Sequence, residues 1–208
     1  MENDFYYELV ERNALVVNKI LCAMRKNLHA VSEIDKNTIL TTPVLYRWWV
    51  PYDGKVMQKL WTKSAEHSDL RDLLGKVEVR LINKQPYCAI YFGKSRNGKE
   101  RIFKQHLHGD IGDSTLRHTI YSICIGGEYS TEKEKEVKQF LQNTYFEWLS
   151  FDSYAEELIA PLEALCIAVG NYPLNIDGNC ALKSRIDKDK GWLKRVKELR
   201  RQSKKPKK

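Results

Sequence analysis

The chain has 208 residues, 42% of them hydrophobic and 11% aromatic, enough for one packed domain with extensions and too apolar for a wholly disordered chain. No apolar run approaches the roughly 20 residues that cross a bilayer. The acidic start MENDFYYELVER is unlike a secretion signal, so a cytoplasmic protein without a membrane partner is expected. Net charge is +8, but residues 183–208 hold 13 Lys/Arg against 3 Asp/Glu, which leaves the remainder slightly acidic. A basic end of this kind commonly meets a polyanion, most often nucleic acid, or else serves only as a solubilising terminus. Cys22, Cys88, Cys124, Cys166 and Cys180 are odd in number and never spaced C-x-x-C. Reduced thiols are therefore expected rather than a disulfide framework or a zinc knuckle.

In chain order, Leu9, Val10, Val16, Val17, Ile20, Leu21 and Met24 recur at helical spacing, which predicts one long helix or two short ones in an extension over 1–40. "TTPVLYRWWVPYDG" (41–54) reads as a strand by its aromatic and β-branched content. Residues 55–75 read as helical. "VEVRLI" (77–82) and "YCAIYFG" (87–93) predict two more strands, joined by a turn over Asn83, Lys84, Gln85 and Pro86. Asn97 caps a helix that runs to His108, with Gly109 as its stop. Asp113 or Ser114 caps the next, which Gly126 and Gly127 end; Thr131 with Glu134, and Ser153 with Glu156, form capping boxes for two more. Residues 145–151 are a strand or a connector. Leu162, Leu165, Cys166 and Val169 give the helix carrying Pro161 a core face, with Glu163 at its border. A few strands among several helices, without βαβ rhythm, predict an α+β fold: a small antiparallel sheet of about three strands flanked by helices.

Five pieces stand in order: Tyr46 in "VLY", Tyr91 in "YFG" with Lys94 just after it, Arg101, Glu163, and Asn175 in "NYPLN". This order resembles the GIY-YIG nuclease superfamily, "VLY" standing for GIY and "YFG" for YIG. Arg101 lies 10 residues past Tyr91, Glu163 and Asn175 are 12 apart, and "STLR" (114–117) resembles a further segment common in its members. The similarity spans 41–180; residues 52–76 then form an insertion between the two tyrosine strands, and 181–208 a basic tail. Pieces of this kind are weak singly and strong together.

The resemblance implies a divalent-metal-dependent endonuclease acting on DNA, RNA not being excluded. Glu163 would hold Mg2+ (or Mn2+), and Arg101 would grip phosphate oxygens with its planar fork. Tyr46 would orient or activate the water. A phenol of pKa near 10 does this only beside positive charge, which Lys94 supplies. Asn175 would fix a loop or touch substrate. Members often carry His or Tyr four residues after the arginine, where this chain has Gln105. On a regular helix His106 lies about 140° from Arg101 and His108 within about 20°, so the histidine role falls to His106 or, as substitute, His108. Arg47, Lys104, His108 and Arg117 are candidate nucleic-acid contacts; Trp48, Trp49 and Trp61 would stack on bases or, more ordinarily, fill the core. Tyr46 and Tyr91 alone read equally well as core aromatics. With no zinc finger or helix-hairpin-helix beside the core, a self-contained restriction-type enzyme is favoured over a repair or mobile-element nuclease. Cutting both strands then calls for a homodimer or two binding events. The rival readings are a binding module that keeps the fold without turnover, and a protein-interaction domain with a lysine tail.

Overall fold

In "VLYRWWV" successive side chains point to opposite faces of a strand, yet nearly all are apolar or aromatic, so both faces of this strand must be covered. The computed structural model, which describes residues 2–35, 37, 41–152, 156–175 and 191–203, covers both with helices. Its elements are α1 (Glu2–Met24), β1 (Leu28–Ala30), β2 (Val44–Pro51), α2 (Lys55–Ser64), α3 (Ser68–Leu74), β3 (Val79–Ile82) and β4 (Gln85–Ser95). A π-helix follows (Lys99–His108), then α4 (Thr115–Ile120) running on as a π-helical Tyr121–Ile125, α5 (Thr131–Gln142), β5 (Tyr145–Ser150), α6 (Glu156–Val169) and α7 (Trp192–Gln202). The expected α+β class is present. The sheet has five antiparallel strands in the order β1-β5-β2-β4-β3, not about three. The two added strands are β5, from the segment left open as strand or connector, and the three-residue β1, too short to show a period.

One face of the sheet carries Val44, Tyr46, Trp48, Val50 and Ile90 under α2, α3, α4, α5 and α7. The other carries Leu45, Trp49, Ala89 and Phe92 under α1 and α6. Trp48 and Trp49 are fully buried, which settles them as core side chains, each contributing roughly 1.5–3 kcal/mol by burial. Trp61 is 37% exposed.

Local chemistry adjusts several expectations. The β3–β4 turn is tighter than four residues: Ile82 pairs with Gln85, leaving Asn83 and Lys84 at φ 50° and 66°, the double left-handed pair of a type I′ hairpin. Residues 55–75 form two helices. Ser114, rather than Asp113, caps α4 by accepting from the Arg117 N–H. Ser130 caps α5, one residue before the expected box, and frees Glu134 to bond the Ile111 N–H and the Tyr129 hydroxyl. On α6 the buried stripe is Ile159, Cys166 and Ile167, while Val169 is 48% exposed. Ser153, Cys180 and residues 183–190 and 204–208 of the basic segment lie outside the described residues.

Two features of β4 prepare the site. Trp48 opposes Tyr91 whereas Trp49 opposes Ala89, so Ile90 is an extra, bulged residue. The bulge resets the alternation and turns Tyr91 onto the face that carries Tyr46. Beyond it, β3 has ended and the outer edge of β4 is open. There the Leu174 N–H donates to the Ile90 carbonyl at 3.0 Å. The Asn175 amide accepts from the Phe92 N–H at 2.8 Å and donates to the Phe92 carbonyl at 2.7 Å, as a neighbouring strand would.

Candidate active site

Tyr46 and Gly93 are cross-strand partners, and a Cβ on Gly93 would meet the Tyr46 Cζ and Oη at 2.6 Å. The phenol thus lies over the glycine of "YFG", a place only glycine leaves open. Tyr46 is fully buried and Tyr91 is 7% exposed, their ring centroids 6.2 Å apart. Burial first, then the neighbouring Tyr91, holds the Tyr46 hydroxyl well above its ordinary pKa against the pull of Arg101.

Arg101 stands beside both phenols, its charge pulling against the rise in their pKa. One guanidinium nitrogen donates to the Gln105 side-chain oxygen at 2.6 Å and to the Asp113 carbonyl at 3.2 Å. Gln105, the residue that departs from the expected pattern, therefore fixes the arginine. Because this segment is a π-helix, residues five apart share a face. That corrects the 140° separation worked out for a regular helix. His106 enters the site with Arg101, fully buried, its Nε2 2.8 Å from the Tyr46 Oη and its Nδ1 2.5 Å from the Ser114 Oγ. Burial, Arg101 and Arg117 together hold its pKa well below 6.5, so the ring is neutral. His108 turns away and packs on Phe103, with ring centroids 4.4 Å apart.

Glu163 reaches the same place from the other layer, past the open edge of β4. It lies 3.7 Å from the Lys94 ammonium. Burial raises its pKa, while Lys94 and then Arg101 draw it down.

A family model for the GIY-YIG catalytic domain matches residues 44–202, well over half of the chain. The chain belongs to the GIY-YIG family. No curated protein and no solved structure matches it. GIY-YIG domains are generally those of endonucleases, so a nuclease-type domain with a nucleic-acid substrate is what membership supports.

Of the further residues singled out in this GIY-YIG chain, Lys104 is exposed, paired with Glu100 at 2.7 Å. Two others correct the expectation of nucleic-acid contact, since both are buried. Arg47 points to the α6 face, over Trp49, where its Nε donates to Glu147 at 2.7 Å and a second nitrogen to Glu78. Arg117 donates to the His106 carbonyl at 3.1 Å and so braces the end of the π-helix. The sequence marks Ser114 as a helix cap and as the start of "STLR", not as a partner of a histidine. Its contact with His106 depends on the π-helical register, which no residue pattern announces.

Proposed function

We propose that this chain is a divalent-metal-dependent endonuclease that hydrolyses DNA phosphodiester bonds by attack of water, as a restriction-type enzyme. The observation that carries the reading is the meeting of Tyr46, Tyr91 and Arg101 from one layer with Glu163 from the other. Mg2+ takes one or two carboxylates and fills its shell with water and phosphate oxygens. Among the described residues no three His, Cys, Asp or Glu side chains gather. A single carboxylate beside two cations that prefer phosphate fits Mg2+ or Mn2+ on that pattern. Glu163 would hold the ion, which when bound neutralises charge on a phosphate oxygen.

The chain's own groups do the rest. Arg101, pre-positioned by Gln105 and the Asp113 carbonyl, presents its fork to the phosphate. Lys94, 37% exposed at its side chain, exchanges its contact with Glu163 for a phosphate oxygen. Tyr46 aligns the water and takes its proton on Oη when ionised. Tyr91 and Gly93 hold that phenol, and Asn175 holds the strand beneath them. Exposed Lys/Arg such as Lys104 and those of α7 meet the phosphate backbone.

The test is Mg2+-dependent cleavage of supercoiled plasmid by the wild type and Glu163→Ala. Wild type is expected to nick or linearise, and the variant to bind without cutting. Discrete fragments support a restriction-type enzyme; a smear makes the nuclease nonspecific. Salt-sensitive binding by both proteins with cleavage by neither makes the chain a binding module on this fold.

A further inference from the structure

We propose that His106 serves Tyr46 as a hydrogen-bond donor, not as a proton acceptor, and that Ser114 is the positioning residue that fixes this direction. The inference rests on the reading of Tyr46 as the group that handles the water. It follows from counting protons in a sealed cluster. Ser114 is 1% exposed, and its Oγ already accepts from the Arg117 N–H at 3.1 Å. Its own hydroxyl proton needs an acceptor, and among the described residues the one polar partner left to Oγ is the His106 Nδ1 at 2.5 Å. Nδ1 is then bare, and the proton of the neutral ring sits on Nε2, directed at the Tyr46 Oη at 2.8 Å.

The rest of the cluster closes on this assignment. The Tyr46 oxygen then receives the Nε2–H, with the Arg101 charge and the Tyr91 ring beside it, and its own proton is free to turn away from the imidazole. In the opposite tautomer Nδ1–H and the Arg117 N–H would fill both lone pairs of Oγ. The Ser114 hydroxyl proton would then point at nothing in a buried place, which is costly.

Charge favours the same direction. The groups facing His106 are Tyr46 and Trp48 from β2, Tyr91 from β4, Arg101 on its own helix, and Ser114 and Arg117 from the α4 end. A proton received from Tyr46 would create an imidazolium between two arginines, with no carboxylate among its neighbours in the described residues. A phenolate on Tyr46 would instead meet the Nε2–H and the Arg101 cation. With its own proton already released to solvent, that phenolate takes a proton from the attacking water; the hydroxide bonds to phosphorus as the P–O bond to the leaving oxygen breaks, that oxygen takes a proton from solvent, and the imidazole stays neutral throughout.

The experiment has two arms on the full chain. In the first, nitrogen NMR of histidine-labelled protein at neutral pH, with His106 assigned from its absence in His106→Gln, is expected to show Nε2 protonated and Nδ1 bare. Protonated Nδ1 overturns the proposal. This arm needs no DNA, so it stands even if the chain proves unable to cut. In the second, Ser114→Asp keeps a helix cap but gives Nδ1 a carboxylate to donate to, which strips Tyr46 of its donor. Cleavage is expected to fall about 10- to 100-fold, with folding and DNA affinity kept and Ser114→Thr near wild type. A Ser114→Asp enzyme as fast as wild type or faster, with its pH profile moved upward, overturns the proposal in favour of a histidine that accepts the proton.

Discussion

Gly93 shows how one missing carbon fixes the placement of a reactive group. Gly93→Ala sets a methyl 2.6 Å from the Tyr46 ring and oxygen, and the ring must move because the backbone is held on both sides. The expected result is a folded protein, by circular dichroism, whose plasmid cleavage falls by about 100-fold or more, the usual loss for an ångström-scale misplacement. His106 carries a second prediction, in stability. Its folded pKa lies well below 6.5, so below that pH the unfolded chain binds a proton that the folded chain refuses. Stability from this site is complete above about pH 6.5 and is lost as pH falls, by about 1.4 kcal/mol per unit. Urea unfolding from pH 7 to 5 is expected to show a steeper acid loss in wild type than in His106→Gln, where the titrating ring is gone. At this scale the residues singled out in the sequence are neighbours in the structure: Tyr46, Tyr91, Arg101, Glu163 and Asn175 all lie on or beside one stretch of β4. The sequence was silent on direction. Arg47, one residue from Tyr46, looked like a phosphate ligand and instead sits on the far face in a buried pair with Glu147.

Single elements explain why other details could not be read. Helical period at 100° per residue separates His106 from Arg101, and only the π-helix brings them together; residue patterns carry no mark for that winding. The Ile90 bulge is equally silent, since "CAIYF" alternates as well without it. Elements with strong local signals, such as β2, β4 and the Ser114 cap, were legible, as were most boundaries to within a few residues. The edge of β4 offers a prediction of its own. Asn175 is 5% exposed and gives Phe92 both a donor and an acceptor, so Asn175→Ala leaves two backbone groups without partners. A loss of about 2–4 kcal/mol in urea unfolding is expected. Cleavage by the fraction that stays folded should also drop, because Tyr91 and Gly93 flank the loosened residue. If stability is unchanged, the edge is held by the Leu174 bond alone.

Across the whole molecule, charge and layering matter more than any one contact. α7 docks through Trp192, whose indole donates to the Pro173 carbonyl at 3.2 Å, and through Val196, leaving Lys197 and Arg201 exposed one turn apart. Lys197→Glu and Arg201→Glu are expected to weaken DNA binding for all sequences alike and to flatten the dependence of log affinity on log salt by about one unit each. An unchanged slope would take α7 out of the contact surface. The layering has a temporal side as well. Tyr46, Tyr91, Arg101 and His106 precede Glu163 in the chain and belong to the layer opposite α6. On the function proposed above, a growing chain would have made the phosphate-binding side chains of its active site some sixty residues before the carboxylate for the metal. On that same reading, the nascent protein would be able to hold a nucleic acid without cutting it until α6 packs against the far face of the sheet, and hydrolysis would wait for the finished fold.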